Sequence, residues 1–542
     1  MTTATAPSID PARLAIFDSL VSSIAEEMGA ALRHTALSPN IKERADFSCA
    51  VFDRHGQLLA QAAHIPVHLG AMPESVRAVE TLTPWQPGDL AILNDPFLGG
   101  THLPDVTMVS PVFSESDNQP IGYVASRAHQ ADIGGMAPGS MPVAEELIQE
   151  GIVIPPIRLY RQGELVEEVL MLILRNVRTP EERRGDFAAQ VAAQRLGERR
   201  IAALHDDYGA ERYERTTAAL LDYGERLTRA ALQDLPHGQW QFEDALDDDG
   251  HIDEPVPIRL VLTLEDDRAH FDFSGSAPQR AASINAVAPV TRSACYYVIR
   301  CLLPPDTPMN GGLFRPIEFT LPQRSVVAAQ PPVAVAAGNV ETSQRIVDTV
   351  WGAFAQILPE RMPAASSGTM NNLTAGGVDP RNKRPWAYYE TSGGGLGGGP
   401  EGPGLDAAHS HMTNTLNTPA EALELAYPLR VVENSVRPDS GGDGQHRGGH
   451  GLIRRTEFLG SARVTLITER RSGSPWGAHG GQPGAQGQNS LETTDSDGQR
   501  ILQPLPGKTI INVEPGDVIR LETPGGGGWG EPGSRSTQRA VD

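Results

Sequence analysis

Apolar residues first recur at helical spacing. Ile16, Leu20, Ile24, Met28, Ala31 and Leu32 fall on one face of a 3.6-residue period. Asp10 stands where an N-cap belongs, Pro11 suits the first helical position, and Pro39 closes the run. The pattern predicts a long amphipathic helix. From Phe47 to Ala60 it shifts to two short apolar runs around Asp53-Arg54-His55-Gly56, which predicts a hairpin. Pro87 to Leu93 reads as a turn and a strand that delivers the loop Asn94-Asp95-Pro96. Asp105 to Phe113 and Ile121 to His129 read as two more strands. Residues 180–235 switch to an Ala-, Arg- and Glu-rich helical pattern, with Gly209 as a stop between two helices. The charge run Glu181-Glu182-Arg183-Arg184 reads as a solvated face. Short alternating strands return after residue 238, among them an alternating stretch around the acidic turn Asp266-Asp267. Arg292 to Leu303 reads as a buried helix and Glu341 to Leu358 as a stronger one.

Glycine changes the picture in the second half. Residues 391–404 are glycine-dense, so they form either a flexible linker or a packed backbone loop. The flanking WAYYE and AAHSHMTN argue for packing. Residues 437–530 alternate Gly-rich turns with strand-like runs. There Val513 to Gly525 echoes Gln86 to Pro96, a reused turn-to-strand device. The expected fold class is α+β (mixed α/β), strand- and loop-rich with a helical middle segment. Four regions are expected: 1–180, strand-rich with a metal-type site; 181–236, helical; 237–430, mixed with the Gly-rich loop; and 431–542, Gly-rich β.

Composition narrows the function. The 542 residues hold 56 Gly and 44 Pro, 39% hydrophobic residues and a net charge of −22. That field disfavours nucleic acid and anionic membrane. No apolar stretch approaches a membrane span, and Met1 to Asp10 lacks the marks of a signal peptide. Three cysteines make no disulfide framework, which points to a reducing cytoplasm. Cys49, Cys295 and Cys301 read as buried, inert thiols.

Metal-type ligands are densest in residues 94–132, which supply Asp95, His102, Asp105, His129 and Asp132. His102 and Asp105 share a turn before one strand, and His129 ends the next. Antiparallel pairing of those strands would bring the three together. Two imidazoles and a carboxylate with room for water suit Zn, Mn or Fe as Lewis acid or water activator. The competing reading is three polar loop residues bonding the backbone. Asp46, just before an apolar strand, is a fourth ligand or general base, or else a strand-start cap. His64 and His68 read as satisfied structural histidines. His409 and His411 would share one face of a strand, and His446 and His450 read as bonding groups in Gly-rich turns. There is no GxxxxGK[ST] loop, no GxGxxG opening a helix and no GxSxG elbow. A self-sufficient ATPase, dehydrogenase or serine hydrolase is therefore not expected.

Ser38 to Val76, Gly88 to Val106 and Ser126 to Pro142 resemble the hydantoinase B/oxoprolinase family. So do the later GDFAAQVAA, GNVETSQRI, DSGGDGQHRGGHG and TPGGGGWG, and the resemblance spans about residues 10 to 532. It implies a hydantoinase B-like fold and a subunit or domain of an ATP-dependent enzyme acting on small carbonyl compounds. N-methylhydantoinase, 5-oxoprolinase, caprolactamase and the acetone and acetophenone carboxylases are examples. It further implies an A-type partner that binds ATP and Mg and phosphorylates the substrate, in a hetero-oligomer expected to be α2β2-like. The family's His, Asp and His metal ligands fall on His102, Asp105 and His129, and its nearby acidic residue falls on Asp46 beside the reacting water. The leading expectation is ring opening of a hydantoin, 5-oxoproline or lactam, with catalytic roles for Asp46, His102 and His129. The alternatives are a ketone carboxylase subunit and a non-catalytic scaffold for the ATPase.

Overall fold

The computed structural model describes residues 9–62, 65–114, 119–494 and 497–533. The first helix runs Pro11–Thr35, with the Asp10 side chain accepting from the Ala12 amide at 3.0 Å. It ends before Pro39, which instead opens a one-turn helix, Pro39–Lys42. Its buried stripe is Leu14, Phe17, Val21, Ile24, Met28 and Leu32. Ile16, expected on that face, is 57% exposed, because the true stripe is offset by one residue at the start of the helix. This stripe packs on the helix Pro180–Tyr208, where Gly197 lets the helices meet. A Cβ there would lie 2.4 Å from Met28 Sδ.

The site rests on a seven-stranded sheet. Its strands are β1 (Phe47–Asp53), β2 (Leu58–Gln61), β3 (Leu90–Leu93), β4 (Asp105–Val112), β5 (Gly122–His129), β6 (Ile157–Arg161) and β7 (Glu164–Leu165). They run in the order β2-β1-β5-β4-β3-β6-β7, and every pair is antiparallel. β1, β3, β4 and β5 are buried along their whole length. Both faces must therefore be covered. The helix Pro180–Tyr208 lies on one face, where Gln190 and Gln194 donate to the Val106 and Met108 carbonyls at 3.1 and 2.7 Å. The helix Met72–Val79 covers the other.

The expected helical hairpin is present as Pro180–Tyr208 and Ala210–Gln233, joined at Gly209 with φ of 75°. Arg183 departs from the solvated face expected of its charge run. It is fully buried and pairs with Asp186 at 2.9 Å, since its helix face packs inward at that turn. A four-stranded sheet (Gly238–Leu246, Val256–Glu265, Arg268–Asp272, Ile317–Thr320) carries the helices Ala288–Leu302 and Ser343–Ile357. Two further antiparallel sheets, of four and five strands, make up most of the rest. A single apolar cluster runs from Ile65 to Ile467 and joins the first sheet to the helix Ser343–Ile357.

The glycine-rich segments are packed backbone. Gly398, Gly442 and Gly526 donate to Gly527, Gly526 and Gly449 carbonyls at 2.8, 2.9 and 2.9 Å. A Cβ on Gly526 would sit 2.0 Å from the Leu396 carbonyl oxygen. Three remote stretches thus interlock because none carries a side chain. Cys49 and Cys295 are buried as expected, but Cys301 is exposed: it lies in the last turn of its helix, on the outer face. Among the described residues no helix is long and apolar enough to cross a membrane.

Candidate metal centre

The antiparallel register of β4 and β5 sets Asp105 directly opposite His129. His102 lies one turn ahead of β4, and the Asp105 amide donates to its carbonyl at 3.1 Å. That turn is fixed by Asn94, whose side chain donates to the Leu103 carbonyl at 2.8 Å and accepts from Ile154 N at 2.6 Å. His102, Asp105 and His129 are each at most 2% exposed, and one ligand atom from each lies within 4.8 Å of the others.

The two oxygens of Asp105 face different partners. Oδ2 accepts from Thr101 Oγ1 at 2.8 Å, His68 Nε2 at 3.2 Å and Asn339 Nδ2 at 3.5 Å. Oδ1 faces His102 Nε2 at 3.3 Å and His129 Nδ1 at 3.4 Å. One oxygen is saturated by donors and the other is turned to the imidazoles. Burial alone would raise this carboxyl. The His102 and His68 rings beside it outweigh that and hold it well below the usual carboxylate range. Burial in turn lowers His68 and His129, against the pull of Asp105. An ionised carboxylate beside His68 and His129, two imidazoles that resist protonation, is an arrangement suited to a cation.

The orphaned atoms fit the same guest. His102 Nε2 and His129 Nε2 are buried without a hydrogen-bond partner; the first faces Asp105 Oδ1, whereas His129 turns its Nδ1 to that oxygen. The Ala336 carbonyl lies 3.3 Å from His102 Nδ1, so that nitrogen has an acceptor for the ring proton when Nε2 is taken by a cation. His129 stacks on Tyr389, with ring centroids 4.2 Å apart and planes 15° apart. Asp46, His68, Asp105, His129, Asn339 and Tyr389 share one cavity of about 20 Å³, walled otherwise largely by apolar side chains. That volume holds a single water-sized guest. Asp46 is 7% exposed and lies 3.7 Å from the Arg44 guanidinium. Its backbone carbonyl accepts from His129 N at 3.0 Å.

Other sequence candidates lie elsewhere. Asp95 caps its own loop, accepting from Phe97 N at 2.9 Å, and Asp132 pairs with Arg178 at 2.8 Å. His64 lies outside the described residues. His68 is satisfied at both nitrogens, as expected, with Ser48 Oγ at 2.8 Å on Nδ1, yet it belongs to the site through Asp105. His409 and His411 sit in a loop instead of a strand, and His411, at φ of 53°, pairs with Asp348 at 3.2 Å. His450 Nδ1 accepts from Gly441 N at 3.1 Å, and His446 packs on Trp529. No spacing in the sequence marks Asn339, Tyr389 or the Ala336 carbonyl as part of the site. Each comes from more than 200 residues away in the chain, and GNVETSQRI is the local motif near two of them. There Gly338–Thr342 forms a π-turn that leads into the helix Ser343–Ile357.

Fold and site define a mixed α+β chain with a closed His–Asp–His set at a strand register and no phosphate loop in its sequence. The chain belongs to the hydantoinase B/oxoprolinase family, whose model matches residues 10–532. It is 38% identical to 5-oxoprolinase 1 of Arabidopsis thaliana, over 96% of this chain but 42% of that protein. It is 30% identical to a Pseudomonas sp. strain NS671 protein named as the B-type subunit of a D-/L-hydantoinase, over 98% of this chain and 92% of the other. The crystal structure of an ATP-dependent caprolactamase from Pseudomonas jessenii superposes with a TM-score of 0.89 at 28% identity, over 98% and 93% of the two chains. An acetone carboxylase structure shares the fold, with a TM-score of 0.90 at 20% identity over 98% and 77%. The chain spans less than half of the 5-oxoprolinase it matches and nearly all of the hydantoinase subunit.

Proposed function

We propose that this chain performs the second half of an ATP-dependent ring opening. It hydrolyses a hydantoin, 5-oxoproline or related lactam whose carbonyl oxygen has been phosphorylated by an A-type ATPase partner. The observation that carries this is the convergence of His102, Asp105 and His129, with Asp46 lining the cavity that Asp105 and His129 also line, in a chain without a phosphate loop. The family, the hydantoinase subunit and the caprolactamase support the substrate class.

His102, Asp105 and His129 would hold a divalent ion. When bound, the ion supplies Lewis-acid polarisation and lowers the pKa of a water in the site. The chain's own residues do the rest. Asp105 presents Oδ1 because its Oδ2 is already committed to Thr101, His68 and Asn339. Asp46 takes the proton of the attacking water, with the Arg44 guanidinium alongside to balance its charge. Phosphorylation removes the amide resonance, so the attacked carbon is an imidate-like electrophile. Water adds to it, and the ring C–N bond breaks as the nitrogen takes up the proton and leaves as the amine. A second water hydrolyses the resulting acyl phosphate to carboxylate and inorganic phosphate. A cavity of about 20 Å³ cannot admit a five-membered ring. The wall of Ile65, Val67, Val340, Met370 and Met412 must therefore move on binding, and the flexible methionines are the side chains suited to it.

The test is ATP consumption by this chain copurified with its A-type partner over hydantoin, 5-oxoproline, caprolactam, acetone and acetophenone, the ketones with and without bicarbonate. Ring opening coupled to ATP loss, and abolished in His102→Ala, is expected. Turnover of a ketone only, and only with bicarbonate, would replace the hydrolase with a carboxylase. Product formation unchanged by His102→Ala would remove the metal site from the chemistry.

A further inference from the structure

Glu150 is fully buried, and it forms no ion pair among the described residues. Its Oε1 accepts from Val335 N at 3.0 Å and Ala336 N at 2.8 Å, while Oε2 has no partner. Burial pushes this carboxyl up to about 8, against those two amide bonds. The residues before it pair with the same segment: Leu147 N donates to the Pro332 carbonyl at 2.9 Å and Ala334 N to the Glu145 carbonyl at 3.0 Å. Glu150 thus continues a short backbone pairing with its side chain, and the residue it grips is Ala336.

The Ala336 carbonyl is in turn the group that faces His102 Nδ1, at 3.3 Å. Three residues on, Asn339 reaches Asp105. Gly338 between them is fixed from behind, since a Cβ there would lie 1.9 Å from the Asn285 carbonyl oxygen. At the other end the segment is held at Ala334 by the Glu145 carbonyl and the Asn285 side chain, and at the Val335 and Ala336 amides by Glu150 alone among the described side chains. We infer that Glu150 is a positioning residue for the candidate metal centre, holding the Ala336 carbonyl against His102 Nδ1 so that His102 presents an unprotonated Nε2.

The physical consequence is a tautomer choice. His102 stands between two acceptors, the Ala336 carbonyl at Nδ1 and Asp105 Oδ1 at Nε2, each 3.3 Å away, and an ion on Nε2 requires the ring proton to sit on Nδ1 against that carbonyl. If that carbonyl drifts, the proton moves to Nε2 and donates to Asp105 Oδ1, 3.3 Å away. The proton then occupies the position that the ion needs. Glu150 touches none of the three ligands and acts only through the backbone. Outer groups of this kind are worth ~10–100-fold in metal affinity.

The inference rests on the metal reading above, and the experiment separates the two. Zn(II) affinity is measured by chelator competition on the full-length chain for wild type, His102→Ala, Glu150→Ala, Glu150→Asp and Glu150→Gln, beside apo melting curves. Histidine ring NMR on the apo proteins reads the His102 tautomer. Glu150→Ala is expected to bind ~10–100-fold more weakly and to shift His102 to the Nε2–H form. Glu150→Asp, whose shorter arm withdraws from the two amides, should follow it and serves if Glu150→Ala does not fold. Glu150→Gln, which keeps the acceptor, should bind within ~3-fold of wild type. Wild-type affinity and tautomer in Glu150→Ala or Glu150→Asp would overturn the assignment, as would a loss in Glu150→Gln equal to that in Glu150→Ala. Zn(II) binding that is absent in wild type, or unchanged in His102→Ala, would instead overturn the metal reading itself.

Discussion

Replacing Asp105 by Asn separates the stability of the site from its affinity for a cation. Three donors converge on Oδ2, from Thr101 at 2.8 Å, His68 at 3.2 Å and Asn339 at 3.5 Å. An asparagine must therefore turn its carbonyl oxygen to that side. Its NH2 then takes the Oδ1 position, facing His102 Nε2 and His129 Nδ1 at 3.3 and 3.4 Å. Both imidazoles can accept, so the metal-free variant keeps its hydrogen bonds and loses a buried charge. Bonds to Oδ2 weaken from charge-assisted to neutral while the desolvation penalty of the carboxylate disappears. The two terms oppose each other, and apo stability should change by no more than ~2 kcal/mol. Metal binding behaves differently. Structural zinc sites with four ligands bind with ~12 kcal/mol, or ~3 kcal/mol per ligand, so one lost ligand costs ~100-fold or more. At a metal concentration ~1,000 times the wild-type Kd, wild type gains ~4.1 kcal/mol and the variant ~1.4 kcal/mol. Melting with and without metal, together with chelator competition, reads both numbers. Wild-type affinity in Asp105→Asn would show that the three residues are not the centre. An apo variant that fails to fold would show that the donor assignment on Oδ2 is wrong.

Glu150, Gly526 and Cys301 each carry a further prediction. Glu150 keeps its proton in the folded chain up to about 8, against an ordinary value of 4.5, because burial disfavours its charge. The unfolded chain releases that proton first, so this contribution to stability is present below 4.5 and lost as pH rises towards 8, at up to ~1.4 kcal/mol per pH unit. Denaturant titrations from pH 5 to 9 should show wild type losing stability relative to Glu150→Gln; parallel curves would refute this. Gly526→Ala places a Cβ 2.0 Å from the Leu396 carbonyl oxygen in backbone with no room to shift, and should destabilise by more than ~3 kcal/mol in chemical denaturation, with wild-type stability as the refuting result. Cys301 is exposed while Cys49 and Cys295 are buried. Burial still pushes the Cys301 thiol up, so one thiol per chain should react with a disulfide reagent in the native protein, at a rate that rises with pH, and three in denaturant; Cys301→Ser should abolish the native reaction.

Local pattern determined a good deal of this protein. The Asp10–Pro11 start, the hairpin around Gly56, the Gly209 break and the strands that carry Asp105 and His129 are all legible, because each depends on neighbours within a few residues. The approach of His102, Asp105 and His129 is legible too, since antiparallel pairing of adjacent strands converts sequence order into distance. Local pattern fails where packing decides. Helical spacing puts Ile16 on the buried face of the first helix, yet it is exposed. The Glu181 to Arg184 run reads as solvated although Arg183 is buried, because a charge pattern does not reveal which helix face meets Asp186. His409 and His411 alternate like a strand but lie in a loop shaped by partners such as Asp348. The lining of the site was decided only in three dimensions. Tyr389 reaches His129, Ala336 reaches His102 and Asn339 reaches Asp105 from segments more than 200 residues downstream. Short-range spacing fixes what neighbours in the chain do. Which distant carbonyl sets a histidine's proton depends on how the sheet, the π-turn and the glycine-rich layers close on one another.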